Sequence, residues 1–203
     1  MNLCISQGNK KLGKLPNISM SSYTSCPGKS EWCVKKCYAS KYEKIYPQCI
    51  PAYMRNMEIS KSPDFVNIII DKVKKISGPY FRIHTSGDFY NIKYIEKWIE
   101  ICQSLPNILF SVYTRSWIIP ELLSSLKELN KLKNVQIFLS TDPTMDLPPD
   151  GFRIAFIEED ERAKGIMCLY DSGLKNACSD CGYCFKNNKK NVIFKNKSKG
   201  RKK

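Results

Sequence analysis

The stretch FRIHTSGDF, residues 81–89, holds the chain's only histidine together with Ser86 and Asp88. If the backbone stays extended beyond Ile83, residues 84, 86 and 88 project to one face, because successive strand side chains alternate. An imidazole beside a hydroxyl and a carboxylate suits nucleophilic catalysis. His84 would take the Ser86 proton, Asp88 would fix the imidazole tautomer, and Gly87 would permit a tight turn there. Asp142 is a second candidate for the orienting acid. Arg115 or backbone amides could stabilise an oxyanion. Ser22, Ser25 and Ser140 compete as nucleophile. Against this, G-x-S-x-G is absent, and a lone histidine next to serine and aspartate can simply satisfy a buried network.

Ten cysteines give a second kind of chemistry. One group is Cys26, Cys33 and Cys37; the other is Cys178, Cys181 and Cys184, a C-x2-C-x2-C run. In a reducing compartment such clusters point to metal rather than disulfides. The run has the spacing of ferredoxin cysteines, so an iron–sulfur cluster is expected, with zinc as the alternative. Cys33-x3-Cys37-x2-Ser40 is one residue away from the C-x3-C-x2-C motif of radical S-adenosylmethionine enzymes. Ser40 there removes a thiolate, so the expected site pools ligands from both chain ends. A radical enzyme with a degenerate motif stays open as an alternative. Cys4, Cys49, Cys102 and Cys168 read as small buried apolar residues.

These residues need elements to place them. YFRIH, NILFSVY and NVQIFLS read as strands starting near 81, 109 and 136, separated by helical patterns in which Ile95, Trp98, Ile99 and Cys102, then Leu122, Leu123, Leu126 and Leu129, form stripes. That repeat is the spacing of βα units in a parallel sheet. Polar exits HTSGD, YTRS and STD follow the strands, and ligands of such sheets bind at the carboxyl ends. A short helix is expected around EWCVKKCYASKY, another after Pro51, and a third capped by Ser62 with Pro63 at its first position. FRIAFI and GIMCLY read as two further strands. The expected fold is α/β, a partial (β/α) barrel or an open parallel sheet, with a cysteine-rich metal-binding cap from both chain ends. Residues 1–185 would form one domain and residues 186–203 a flexible basic tail.

The formal charge is +14, but residues 186–203 carry nine Lys or Arg and no acid, which leaves +5 for the rest. A nucleic-acid role therefore rests mainly on that tail. A zinc-stabilised nucleic-acid module is a further alternative, although no stretch interleaves aromatic and basic residues in the way base stacking requires. No apolar run is long enough to span a bilayer and no secretory signal opens the chain, so a cytoplasmic, membrane-free protein is expected.

The boxes TSCPGKSEWCVKKCYA, RIHTSGDFYNIKYIEKW and YTRS resemble a family of small cysteine-rich proteins of bacteriophages and gut clostridia, known chiefly as phage gene products. The resemblance spans most of residues 15–185. It implies an iron–sulfur cluster, of the 3Fe-4S rather than the 4Fe-4S type, and hydrolysis of small carboxylic esters through a serine-hydrolase-like triad. On that resemblance His84 is the triad base, the two cysteine groups bind the cluster, and the cluster is structural or redox-sensing.

Overall fold

A computed structural model describes residues 2–196. Seven strands form one open sheet: β1 (Asn17–Ile18), β2 (Tyr80–Ile83), β3 (Leu109–Thr114), β4 (Val135–Ser140), β5 (Arg153–Ile157), β6 (Ile166–Met167) and β7 (Val192–Phe194). Their order is β1-β2-β3-β4-β5-β7-β6 and every pairing is parallel. The α/β reading holds, and the sheet has two free edges rather than a closed wall.

Alternation in the central strands sorts the two faces. Phe81, Ile83, Phe110, Val112, Ile137 and Leu139 point to one side, where α3 (Ile50–Lys61), α4 (Phe65–Lys74), α5 (Ile92–Ser104) and α6 (Pro120–Asn130) cover them. Tyr94, Ile95, Trp98, Ile101 and Cys102 supply the buried stripe of α5; Leu122, Leu126 and Leu129 supply that of α6. Ile99 and Leu123, expected in these stripes, lie at their partly buried margins. The opposite face carries Tyr80, Arg82, Tyr113, Phe138 and Arg153. Tyr113 stacks on Phe138 with centroids 4.7 Å apart, and no long helix among the described residues covers this side. Leu12, Leu15 and Phe185 pack there, and the two ends of the chain meet when Cys178 and Ser179 amides donate to the Lys11 and Leu12 carbonyls (2.9 and 3.0 Å).

Four sequence readings need correction. The short helix expected around residues 31–42 is two helices, α1 (Glu31–Lys36) and α2 (Tyr38–Ile45), because Cys37 turns to an extended ψ of 113° and caps α2. Ser62 does not cap α4. It closes α3 with ψ 147°, the extended conformation that a following proline favours, and α4 begins at Phe65. The tail does not start at 186, since Val192–Phe194 forms β7 between β5 and β6, an apolar triplet finding a place inside the sheet. Residues 197–203 of the expected tail lie outside the described residues. Finally, Cys4 is exposed and Cys49 half-buried, whereas Cys102 and Cys168 are buried as expected.

Candidate functional site at the carboxyl rim

Strand β2 ends at Ile83, and His84 takes φ 60°, the one non-glycine residue with positive φ among the described residues. The left-handed turn ends the alternation on which the expected His84–Ser86–Asp88 constellation depends. The imidazole turns into the helix-covered core, 2% exposed, with ring centroids 5.1 Å from Phe89, 5.7 Å from Tyr94 and 6.4 Å from Trp98. Its Nε2 meets the Tyr94 hydroxyl at 2.9 Å, while Nδ1 is buried without a partner. Burial, and secondarily the Arg82 charge, lower its pKa to about 3, so the ring is neutral near pH 7. No hydrogen bond joins it to Ser86, Asp88 or Asp142.

Ser86 instead donates to Glu43 Oε1 (2.9 Å). Glu43, 1% exposed on the inner side of α2, also accepts from Ser21 Oγ (3.0 Å) and the Ser22 amide (2.9 Å). This carboxylate was missed from sequence because KYEKIY reads as a solvated charged run; the one hint is its i,i+4 spacing from buried Ala39. Gly87, at φ 84°, lets the turn pass: a Cβ there would lie 2.5 Å from Ser25 Oγ. The Asp88 carboxylate accepts from Thr114 Oγ1 (2.6 Å), the Arg115 amide (2.7 Å) and its neighbour Phe89's amide (2.7 Å). Burial still raises its pKa against those bonds.

Asp142, wholly buried, pairs with Arg115 Nη1 at 2.5 Å and accepts from Ser30 Oγ (2.7 Å) and from Thr144 Oγ1 and amide (2.7 and 3.0 Å). Burial pushes its pKa up, but the Thr144 and Ser30 bonds and the Arg115 charge outweigh it and leave the carboxyl below its ordinary value. Of the five predicted catalytic residues, then, Arg115 and Asp142 pair, and Asp88 is bonded to the Arg115 backbone. Ser86 belongs to the Glu43 network and His84 to the core.

The first cysteine group lies on this rim. The loop after β1 carries Cys26 past the exit of β3: Gly28 presses so closely that a Cβ there would fall 2.1 Å from the Arg115 carbonyl oxygen. Ser30 caps α1 by accepting from the Cys33 amide, and Cys37 caps α2 through its Sγ, which accepts from the Ser40 amide at 3.4 Å. The hydroxyl of Ser40, in the third position of the radical-type motif, donates to the Cys37 carbonyl. Cys26, Cys33 and Cys37 are half-buried; Cys26 feels the charge of Cys33 and Cys37, and Cys33 that of Cys37. Burial, then the Asp88 charge and the neighbouring thiols, push Cys26 up; burial likewise raises Cys33, with Arg115 opposing it.

The second group sits under the other face of the sheet. Cys178 and Cys181 bound α7 (Cys178–Cys181), and Cys184 follows it. Tyr113 donates its hydroxyl to Cys184 Sγ (2.8 Å), and the chief electrostatic neighbours of Cys178 are Lys11, Arg82, Cys184 and Cys168. No cysteine of one group stands among the chief electrostatic neighbours of Cys26, Cys33, Cys178 or Cys184 in the other, while Tyr38 feels Cys26 and Cys37 of the first group and Arg82 and Lys11 beside the second. Among the described residues no three His, Cys, Asp or Glu side chains close around a single metal ion. Thiolates of a polynuclear cluster bind different irons and stand wider apart than the ligands of one ion. The donor set of the first group, three half-buried thiols with Arg115 to offset their charge, fits such a cluster.

The model of the Gene product 88 family matches residues 3–202. Two curated relatives are each called Gene 88 protein. That of Mycobacterium phage L5 is 27% identical over 220 residues, and that of Mycobacterium phage D29 is 27% identical over 219; each alignment covers 92% of this chain and 89% of the relative. No solved structure matches.

Proposed function

Starting from the fact that this chain belongs to the Gene product 88 family, we propose that it is an iron–sulfur protein that hydrolyses small carboxylic esters at the carboxyl rim of its sheet. The observation that carries the proposal is the rim loop itself. Cys26, Cys33 and Cys37 come from one segment, at the strand ends where parallel sheets bind ligands, beside the Arg115–Asp142 pair. These three residues would hold the cluster, which supplies a rigid, redox-active anchor for a loop that has no strand pairing of its own. The second group, Cys178, Cys181 and Cys184, is the candidate source of any further ligand.

The ester chemistry is assigned to oxygen groups of the chain. Ser86 Oγ adds to the ester carbonyl carbon, and its proton passes to Glu43, the carboxylate it already touches. The alcohol leaves with that proton, and water attacking the acyl-serine by the same route releases the acid. His84 takes no part: an imidazole with a pKa of about 3, bonded to Tyr94, is too weak a base for a serine hydroxyl.

Iron and acid-labile sulfide are measured on anaerobically purified protein, beside hydrolysis of short-chain nitrophenyl esters by wild type, Ser86→Ala, Glu43→Gln and His84→Gln. Iron with sulfide in wild type, lost in Cys33→Ser, supports the cluster; zinc alone removes it. Activity lost in the first two variants and kept in the third supports the assignment. Full activity in Ser86→Ala, or none in wild type, removes it. A second reading has one observation in its favour: a cysteine loop directly after β1 of an all-parallel sheet also suits the radical S-adenosylmethionine class. Reductive cleavage of S-adenosylmethionine by the anaerobic protein is its test.

A further inference from the structure

We propose that Arg82 is the anchor of a carboxylate-binding site on the face of the sheet opposite the helices, for a small carboxylic acid with an apolar body. Two contacts hold the guanidinium in place. Its Nε donates to the His84 carbonyl oxygen (2.9 Å), and its carbon lies 4.0 Å from the centroid of the Tyr113 ring. The terminal nitrogens then form a fork with no hydrogen-bond partner and no carboxylate in ion-pair range among the described residues.

Among the described residues no other arginine that is even partly buried is left this way. Arg115 spends its fork on Asp142 and Arg162 on Asp160; Arg153 donates to the Lys186 and Lys190 carbonyls, Gln136 and Asn188. Lys11, on the same face, is already neutralised by Asp171 at 3.0 Å. Arg82 is half-buried, and its open nitrogens are not among the sealed, unsatisfied atoms, so they keep contact with solvent. A planar fork stacked on an aromatic ring matches a carboxylate bidentately, and the ring offers an apolar wall to the rest of the molecule.

The turn at His84 fits this role. Its left-handed φ sends the imidazole into the core on one face and aims its carbonyl at Arg82 on the other. A non-glycine residue in this conformation is uncommon, and such residues gather at binding sites. His84 is therefore a positioning residue through its backbone. The site depends on neither the cluster nor ester hydrolysis.

Calorimetric titration of the purified full chain with sodium benzoate and, separately, inorganic phosphate tests it, with iron measured in every sample and folding checked by circular dichroism. Wild type is expected to bind benzoate more tightly than phosphate. Arg82→Gln should weaken benzoate by about tenfold or more, Arg82→Lys by less, because an ammonium cannot reproduce the fork. Tyr113→Phe, which keeps the ring, should stay within about twofold, as should His84→Asn, which keeps the carbonyl and tolerates left-handed backbone. Chelation of iron should leave benzoate binding in place. No benzoate binding by wild type at about 10 mM, equal binding by Arg82→Gln, or tighter binding of phosphate would each overturn the proposal. Loss of iron in Arg82→Gln from a wild type that binds no benzoate would make Arg82 a counter-ion to the nearby thiolates of Cys178 and Cys184 instead.

Discussion

At the scale of single residues, His84 divides its backbone from its side chain across the sheet. Sequence presents it as a base because imidazole, hydroxyl and carboxylate sit within five positions; the fold uses its ring as packing. That assignment has a pH signature. The folded pKa of about 3 lies below the value near 6.5 of an unfolded chain, so between these the unfolded state binds more protons. The stability contributed by the neutral ring is complete above pH 6.5 and is lost as pH falls toward 3, by up to about 1.4 kcal/mol per pH unit. Chemical denaturation at several pH values should show this slope in wild type and a slope shallower by up to one proton in His84→Gln; equal slopes would place the ring in solvent. Ester hydrolysis should likewise show no inflection near pH 6.5 that disappears in His84→Gln.

At the scale of elements, the rim is built by short helices whose caps do more than end them. Ser30 accepts from the Cys33 amide and donates to Asp142, tying α1 to the exit of β4. Ser30→Ala should cost about 1 kcal/mol from the cap alone and more because Asp142 loses a donor, read as a fall in the unfolding midpoint. Gly28→Ala puts a methyl group against the Arg115 backbone, which cannot swing aside as a side chain can. It should displace the loop and lower iron retention more than Gly78→Ala, at a glycine whose φ of 101° is left-handed but which has open space around it. The central strands and the amphipathic α5 and α6 were legible because alternation and the 3.6 period survive burial on one face. The break at Cys37 and the true start of α4 were not, since both depend on local capping geometry that residue types only permit.

At the scale of the whole molecule, the open sheet is completed by its carboxyl end. β7 lies between β5 and β6, so a chain stopped after Lys186 leaves both without their shared partner. Such a chain should lose cooperative thermal unfolding; a sharp transition near the wild-type midpoint would show that the C-terminal strands are dispensable. Trp98→Ala, emptying a site packed by Phe65, Phe81, Tyr94, His84 and Phe110, should cost about 3–5 kcal/mol in chemical denaturation. No helix among the described residues is long and apolar enough to cross a membrane. The basic run beyond residue 185 read as a tail because charge dominates its composition, which hides an apolar triplet of three residues.

Sequence alone determined the repeating βα units, the parallel sheet and the residue types at its carboxyl rim, because hydrophobic period and strand spacing are local properties of the chain. Tertiary structure decided the pairings. It gave Ser86 to Glu43, Asp88 to Thr114 and Arg115, Asp142 to Arg115 and Ser30, and Arg82 to the His84 carbonyl. The reason is physical: one residue entering the left-handed region redirects every side chain after it, and a buried polar group bonds whatever partner the packed elements bring within 3 Å or so.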